Sequence, residues 1–450
     1  MVERPNLQKR PSSNDRGVSP PPSKRKQQST TTSKAVASFF TPLSKKEPEK
    51  MTWRIVNNSL LVGRYAPSIG QPAAKASARI AAFDFDSTLI TSASGKVFSR
   101  DATDWKWWHR SVPGALKELH EKGYLVAIVS NQGGISLKSD PKTVKSDQKR
   151  LADFKTKLSA VLTQLDMPIS VYAATSRDHY RKPRTGMWAE LLDDHDLDAA
   201  SSVDLENSFF VGDAGGREAT SGGVKDHSCV DRDFAANVGV AFHTPEEYFL
   251  HEKPRPFTRD FDPTVYIDEL ELVEKPTSAL PTITKPETTD IVLLCGSPGS
   301  GKSSFYWRHL QPLGYGRVNQ DTLKTREKCI KATNAFIDEG TSVVVDNTNA
   351  DPETRAAWIK LAQKLNVPIR CVLFTASVKL CEHNDTVRAL NPGPESNPES
   401  RSILPKLAFT GFASRYREPK LSEGFTQIIM NDFQFEGSNE RKKLWSRYWI

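Results

Sequence analysis

The 450-residue sequence has few cysteines, no long apolar run and no secretion signal at its N-terminus. Its five cysteines form no Cys-x-x-Cys pair, and such a scattered, odd set favours reduced thiols over a disulfide or zinc framework. No apolar stretch approaches the roughly 20 residues that a bilayer crossing requires. The charged and then apolar pattern of a signal peptide is also missing. We therefore expect an intracellular protein without a membrane partner.

Most of the chain also lacks an excess of charge. The whole sequence carries 62 Lys and Arg against 54 Asp and Glu, a formal net charge of +8. Residues 1–50 alone hold 11 basic and 4 acidic residues, so the rest of the chain is nearly neutral. Any nucleic-acid footprint outside this N-terminal segment must therefore be a local basic patch.

Residues 1–50 are predicted to form a disordered basic tail, because they are rich in Ser, Thr, Pro and Lys and poor in large apolar residues. A Lys-Arg-Lys triplet at 24–26 is either a nuclear-import signal or solvated charge. The nucleus is the expected location.

The same tail contains a short apolar motif. Val36, Phe39 and Phe40 resemble the sliding-clamp-binding motif, although Ser33 stands where that motif has Gln. The resemblance implies a sliding clamp as a partner. Two other interpretations are equally open. The residues are an apolar cluster without a function, or they pack against the folded part of the chain.

Beyond the tail, apolar strand patterns alternate with helical patterns such as 114–121 and 151–165. The strand patterns are 80–83, 125–129, 170–173, 209–211, 291–294, 342–345 and 369–374. This alternation predicts parallel sheets that helices cover on both faces. Residues 258–289 hold four prolines and are predicted to be a linker. The expected fold is α/β, with two three-layer parallel-sheet domains at 51–257 and 290–450.

Two acids, Asp84 and Asp86, follow the first of these strands directly. Ligands of open parallel sheets bind outside the carboxyl ends of the strands, so we expect both side chains to face a crevice. A carboxylate can attack a phosphorus atom there if Mg²⁺ neutralises the repulsion between the two anions. The alternative is a turn whose aspartates only cap the next helix.

Further polar residues stand at comparable places, namely Ser130 and Asp213 after later strands and Lys182 before a helix. The ordered set resembles the haloacid-dehalogenase (HAD) phosphatase superfamily, whose signature is D-x-D-x-T, then Ser or Thr, Lys and Gly-Asp. The resemblance implies that Asp84 forms an aspartyl-phosphate and that Asp86 acts as general acid and then base. Ser130 and Lys182 would hold the phosphoryl oxygens. Asp84, Asp86 and Asp213 would bind Mg²⁺.

A glycine-rich segment fits G-x-x-x-x-G-K-[ST] in full, between the strand that starts at Ile291 and a helical pattern. Its backbone N–H groups would wrap the β-phosphate of ATP, Lys302 would reach the β and γ oxygens, and Ser303 would bind Mg²⁺. A glycine turn with an exposed lysine is the alternative. The predicted ATP-binding residues are Gly296, Ser297, Gly299, Ser300, Gly301, Lys302 and Ser303.

An HAD phosphatase followed by a P-loop kinase resembles the eukaryotic polynucleotide kinase 3′-phosphatases, from about Trp53 to Phe435. The resembling stretches include 131–135, 209–214, 244–247, 346–349 and 423–425. The resemblance implies hydrolysis of 3′-phosphates and ATP-dependent phosphorylation of 5′-hydroxyls at DNA ends. Asp321 would be the general base of the kinase, and Arg388 a lid arginine that stabilises the transferring phosphoryl group.

The chain departs from this family pattern in three ways. Gln320 stands where the family has Arg beside the base, and Thr386 occupies a second lid-arginine position. The phosphothreonine-reading forkhead-associated domain of vertebrate members, about a hundred residues long, would not fit in the 50-residue tail. We therefore expect a form without that domain, acting as a monomer.

Three other functions stay open. RNA-end healing uses the same chemistry, since recognition of the 2′-hydroxyl cannot be read from these motifs. A repair scaffold with degenerate sites and a phosphatase–kinase fusion that acts on small metabolites are the other two.

Overall fold

The computed structural model describes residues 50–67, 77–97, 99–138, 142, 144–197, 202–220, 223–267, 283–393 and 397–450. The basic tail, with Val36, Phe39 and Phe40, lies outside this part of the chain. None of the described helices combines the length and the apolar character of a membrane span. All five cysteines are free thiols in buried positions.

Within the described residues, nine strands precede the predicted linker. They are β1 (Met51–Val56), β2 (Leu60–Tyr65), β3 (Ile80–Phe83), β4 (Ile90–Thr91), β5 (Lys106–Trp107), β6 (Leu125–Asn131), β7 (Ile169–Ala174), β8 (Phe209–Val211) and β9 (Ala241–His243). Seven of them form one sheet in the order β1-β2-β7-β6-β3-β8-β9, and β4 pairs with β5. Strands β7, β6, β3, β8 and β9 run parallel, while β2 joins β7 antiparallel.

Helices cover both faces of this sheet. They are α1 (Val112–Glu121), α2 (Val144–Leu165), α3 (Gly186–Asp194), α4 (Val230–Val238) and α5 (Pro245–Leu250). Successive residues of a strand point to opposite faces. Phe83 of β3 accordingly packs in one core cluster with residues of α1 and α2, whereas Ala82 packs in a second cluster with residues of α3 and α4. Burial on both faces explains why β3 is apolar throughout.

The second sheet contains β10 (Ile291–Cys295), β11 (Gly316–Val318), β12 (Val343–Asp346), β13 (Ile369–Phe374) and β14 (Gln427–Asn431). Its order is β11-β12-β10-β13-β14, and every pair is parallel. The accompanying helices are α6 (Lys302–Phe305), α7 (Gln320–Leu323), α8 (Arg326–Asp338), α9 (Pro352–Leu365), α10 (Val378–Leu390), α11 (Lys406–Arg415) and α12 (Asn439–Trp445). A π turn at Tyr306–Leu310 continues α6, and 3₁₀ turns occur at Gln311–Leu313 and Leu421–Glu423.

Strand β10 again separates two cores. Leu293 packs with residues of α8 and α9, and Val292 packs with Phe305 and Leu310 on the other face. The prediction of two parallel-sheet α/β units with helices on both faces is therefore confirmed.

The two units are in contact. Ile267, inside the predicted linker, is buried against Leu380 and Trp445 of the second unit. Asn237 of α4 is hydrogen-bonded to the backbone of Tyr448 in both directions. Residues 268–282 of the predicted linker lie outside the described part of the chain, and the domain boundaries stay a prediction.

Candidate active sites

Strand pairing builds the first site at the carboxyl edge of the first sheet. The Asp84 N–H donates to the carbonyl of Val211 at 2.8 Å, which fixes the end of β3 beside the end of β8. Asp213 stands two residues beyond β8. Carboxylate oxygens of Asp84, Asp213 and Asp231 lie within 4.8 Å of one another. The structure thus brings two of the predicted residues together and adds Asp231 from α4.

Lys182 supplies a cation to this group. Its Nζ lies 3.0 Å from Asp84 Oδ1 and 2.7 Å from Asp231 Oδ1, and its side chain is 1% exposed. Asn131, at the end of β6, fixes the lysine backbone, because its Oδ1 accepts from the Lys182 N–H at 2.9 Å and its Nδ2 donates to the Lys182 carbonyl at 3.2 Å. The lysine is therefore held from both its main chain and its ammonium.

The charges of this site are not balanced by the lysine alone. Burial, together with the neighbouring charges of Asp84 and Asp231, raises the pKa of Asp213 to about 8. Burial by itself would lower the pKa of Lys182, but attraction to Asp231 and Asp84 outweighs it and the pKa is raised. Three carboxylates around one ammonium leave a negative, oxygen-lined site of the kind that suits Mg²⁺.

Asp86 and Ser130 are both hydrogen-bonded to the side chain of Gln132. The Gln132 amide Nε2 donates to Asp86 Oδ2 at 2.7 Å and to Ser130 Oγ at 3.1 Å. Ser130 is buried, whereas Asp86 lies at the solvent-accessible mouth of the site. The protein atoms packed around its carboxyl raise the pKa of Asp86, and the charge of Asp84 adds to this effect. The predicted metal ligand Asp86 lies outside the three-carboxylate group, and its metal role stays a prediction.

Sequence reasoning missed Asp231, which is 1% exposed. Its Oδ2 also accepts the Ala214 N–H at 3.0 Å, next to Asp213. A side chain at Gly212 would bring a Cβ to 2.4 Å from Asp231 Oδ2, so a glycine is required there. An acid in the first turn of a helix usually only complements the helix dipole, so the local sequence gave little reason to single it out.

The glycine-rich segment 296–303, called the P-loop below, builds the second site from the end of β10 to the start of α6. Gly299 and Gly301 adopt left-handed φ angles of +76° and +94°, and a Cβ at Gly299 would lie 2.2 Å from the carbonyl oxygen of Cys381. Lys302 donates from Nζ to the carbonyls of Gly296 at 2.9 Å and Ser297 at 2.7 Å. Burial lowers the pKa of Lys302. The predicted cradle is present, with its lysine folded back onto the loop.

Ser303 and Asp346 meet at one end of this cradle. Ser303 Oγ donates to Asp346 Oδ2 at 2.9 Å, and the Arg317 guanidinium lies 2.5 Å from the same carboxylate oxygen. Arg317 Nη2 also donates to Ser303 Oγ at 3.1 Å. A hydroxyl from the first turn of α6 and a carboxylate from the end of β12 fit Mg²⁺, and here an arginine supplies positive charge beside them.

The predicted base and lid arginine line the same cavity, which measures about 1200 Å³ and also contains Lys302 and Ser303. This volume is ample for a nucleotide, since ligand pockets usually span roughly 300–1,000 Å³. The Asp321 side chain is 79% exposed, as expected of a group that meets an incoming hydroxyl. Arg388 is part-buried and forms an ion pair with Asp385.

Gln320 and Thr386, the two kinase positions that depart from the family pattern, differ in their position relative to the cavity. Gln320 lines the cavity next to Asp321. Thr386 is 4% exposed, and its hydroxyl donates to the Glu382 carbonyl of its own helix at 2.9 Å. Position 386 therefore presents neither charge nor hydrogen-bond donor to the cavity.

Comparison with known proteins agrees with this arrangement. A family model described as polynucleotide kinase 3 phosphatase matches residues 79–249, and a model described as AAA domain matches 291–334 and 324–419. The bifunctional polynucleotide phosphatase/kinase of Schizosaccharomyces pombe is 38% identical over 401 residues, which cover 89% of this chain and 88% of that protein.

Two further relatives support the same assignment. A putative bifunctional polynucleotide phosphatase/kinase of Acanthamoeba polyphaga mimivirus is 32% identical over 82% of this chain and 88% of its own length. A polynucleotide 3′-phosphatase of Arabidopsis thaliana is 34% identical over 40% of this chain and 25% of its own length. The chain belongs to the family of bifunctional polynucleotide phosphatase/kinases.

Proposed function

We propose that this protein heals broken DNA ends, by removing 3′-phosphates at the site around Asp84 and by phosphorylating 5′-hydroxyls with ATP at the site around Lys302. The observation that carries the proposal is the presence of two separate phosphate-handling sites, each at the carboxyl edge of its own parallel sheet. Family membership supports the pairing of the two activities. DNA ends as substrates favour action in the nucleus.

In the phosphatase reaction, Asp84 attacks the 3′-phosphate and the bond from phosphorus to the 3′-oxygen breaks. Asp86 donates a proton to the leaving oxygen, a role that its raised pKa supports. Water then attacks the phosphorus of the aspartyl-phosphate and gives its proton to Asp86. The bond between phosphorus and the Asp84 oxygen breaks, and inorganic phosphate leaves. Lys182 holds a phosphoryl oxygen throughout, because the carboxylates of Asp84 and Asp231 fix its ammonium in place.

Asp84, Asp213 and Asp231 would hold Mg²⁺ in this site. The ion would reduce the repulsion between the nucleophile and the phosphate. The three clustered oxygen donors support this assignment, as do the raised pKa values of Asp213 and Asp231. Ser130 completes the site from the end of β6 by donating its hydroxyl to a phosphoryl oxygen.

In the kinase reaction, Asp321 accepts the proton of the 5′-hydroxyl as that oxygen attacks the γ-phosphorus and ADP departs. Lys302 and Arg388 neutralise the charge on the phosphoryl oxygens during transfer. Ser303 and Asp346 would hold Mg²⁺ here. The backbone N–H groups of the P-loop position the remaining phosphates.

The direct test uses a nicked duplex that bears a 3′-phosphate and a 5′-hydroxyl, incubated with Mg²⁺ and labelled ATP. We expect release of inorganic phosphate and label at the 5′ end. The same assay on a matched RNA distinguishes DNA healing from RNA healing. Faster turnover of mononucleotides than of oligonucleotides would contradict a polynucleotide substrate, and failure to bind Mg·ATP would indicate a scaffold.

The tail adds one partner to this proposal. Val36, Phe39 and Phe40 fit an apolar contact with a sliding clamp. Replacing both phenylalanines with alanine should abolish binding of the full chain to a purified clamp while both activities remain. Unchanged clamp binding would contradict this contact.

A further inference from the structure

Arg401 enters the kinase cavity from the segment that follows α10. Its guanidinium Nη2 lies 2.5 Å from Glu399 Oε2 and 3.6 Å from Asp321 Oδ2. It lines the same cavity as Lys302 and Arg388. Its side chain is 28% exposed, so the guanidinium has access to the cavity. The arginine therefore lies beside Asp321, the expected base, in the cavity that would receive the triphosphate.

The backbone of Arg401 is fixed in this position. Asn397 accepts the Arg401 N–H with Oδ1 at 2.9 Å and donates from Nδ2 to the Arg401 carbonyl at 2.8 Å. Asp385 then ties the segment to α10, because it accepts the Leu404 N–H at 2.8 Å and also pairs with Arg388. Asp385 thus pairs with Arg388 and also anchors the segment that carries Arg401.

The cations around the cavity oppose one another. Burial lowers the pKa of Arg388, and the charge of Arg401 lowers it further. Asp385 and Glu399 each pair with one of the two arginines, and a polyanion in the space between the cations would reduce their mutual repulsion further. A triphosphate whose γ-phosphoryl group is being transferred is such a polyanion.

We propose that Arg401 is a catalytic residue of the kinase reaction, whose guanidinium contacts the transferring γ-phosphoryl group and takes the place of the arginine that the family has at position 386. The inference rests on the proposed kinase function. As the bond between the γ-phosphorus and the bridging oxygen breaks and the bond to the 5′-oxygen forms, Arg401 balances the charge on the phosphoryl oxygens. The proton of the hydroxyl goes to Asp321, and ADP leaves.

Glu399 is the carboxylate partner of Arg401. The same carboxylate also accepts from Arg317 at 2.6 Å. It therefore keeps both guanidinium groups close to the phosphate position without filling it. The geometry favours exchange of a carboxylate partner for a phosphoryl partner, since both accept paired N–H bonds from arginine.

The test compares Arg401→Ala, Arg401→Lys and the matched control Lys406→Ala in the full chain. Lys406, the first residue of α11, is exposed and does not line the cavity, so its replacement removes one equal charge away from the chemistry. We expect Arg401→Ala to lower the kinase kcat about 100-fold or more, with a much smaller change in the KM for ATP. Arg401→Lys should recover part of this loss, and Lys406→Ala should stay within about twofold of the wild type.

Two further measurements separate the outcomes. The 3′-phosphatase activity of each sample reports folding, and calorimetric binding of Mg·ATP separates loss of binding from loss of transfer. A kinase kcat within about threefold of wild type in Arg401→Ala would overturn the proposal. If that variant also lost the phosphatase, Arg401→Gln decides, because it keeps a side-chain donor and removes only the charge. Absence of kinase activity in the wild type would instead reject the proposed function.

Discussion

Lys182 and Asp231 form an ion pair inside the first site, with 2.7 Å between Nζ and Oδ1 and both side chains at most 2% exposed. Asp231 belongs to α4, and its other oxygen accepts the N–H of Ala214. One carboxylate thus orients the ammonium toward Asp84 and also fixes the loop that carries Asp213. Asp231 therefore links the cation of the site to its metal-binding edge.

Replacing Asp231 with Asn should damage the phosphatase selectively. The buried ammonium of Lys182 then keeps only Asp84 as a charged partner, and loss of one partner of a buried ion pair costs up to about 3–5 kcal/mol. We expect a 3′-phosphatase kcat at least about 100-fold lower and a lower urea midpoint of unfolding. The kinase activity of the same sample is the control, and an unchanged phosphatase kcat would exclude this role for Asp231.

Asp84→Asn should reduce phosphate removal to background and leave the kinase active. An amide cannot form the acyl-phosphate, whereas the P-loop lies on a separate sheet. Release of inorganic phosphate and labelling of 5′ ends are measured on one sample. Loss of both activities in a folded variant would contradict two independent sites.

Two kinase substitutions should separate binding from proton transfer. Lys302→Ala should weaken Mg·ATP binding and abolish 5′-phosphorylation, because Lys302 lies within the phosphate cradle. Asp321→Asn should lower the kinase kcat about 10²–10⁴-fold with little effect on ATP affinity, because its side chain is 79% exposed at the substrate side. Equal losses of ATP affinity in both variants would argue against Asp321 as the base. Phosphatase activity should persist in both.

His383 should make the stability of the second unit depend on pH. Burial lowers its pKa to about 4, and its Nε2–H donates to the carbonyl of Trp445 at 2.8 Å. Below about pH 6.5 the unfolded chain binds a proton that the folded protein excludes until about pH 4. Stability is therefore full above pH 6.5 and is lost as the pH falls through this window, by roughly 3 kcal/mol.

Urea unfolding at pH 7.5 and pH 5 measures this effect. His383→Gln keeps a donor for Trp445 but does not titrate, so its stability should change less with pH than that of the wild type. Equal pH slopes in the two proteins would assign the dependence to other groups.

Asn237 should couple the two units. Its amide donates to the carbonyls of Pro183 at 2.9 Å and Tyr448 at 2.6 Å, and its oxygen accepts the Tyr448 N–H at 2.9 Å. Asn237→Ala removes these bonds and should cost about 1–3 kcal/mol. Because Pro183 follows Lys182, the phosphatase kcat should fall more than the kinase kcat. Asn237→Asp, which keeps the acceptor, should lie between the two proteins.

Much of the fold was predictable from local patterns. The strands predicted at 80–83, 209–211 and 369–374 have these bounds in the structure. Three others gain one or two residues in total, and the strand predicted at 342–345 is shifted by one residue. Buried strands of parallel sheets are continuous apolar runs that stop abruptly at polar residues. The predicted helix starts were less accurate than the predicted strand bounds. Helix α2, for example, begins at Val144 rather than near residue 151.

The amino-acid sequence alone determines which reactive or phosphate-binding residues follow each strand. Asp84 follows β3 and the P-loop follows β10, and parallel pairing must bring such ends to one edge of a sheet. Spacing along the chain therefore identified both sites. Asp231 and Arg401 carry no comparable signal.

Only the tertiary structure brings Asp231 to Lys182 and Arg401 to Asp321. Each pair joins segments that are far apart in the chain and that follow no shared period. Their meeting depends on how a helix start and a loop pack against the sheet, and side-chain pairing of that kind is set by three-dimensional packing rather than by local sequence.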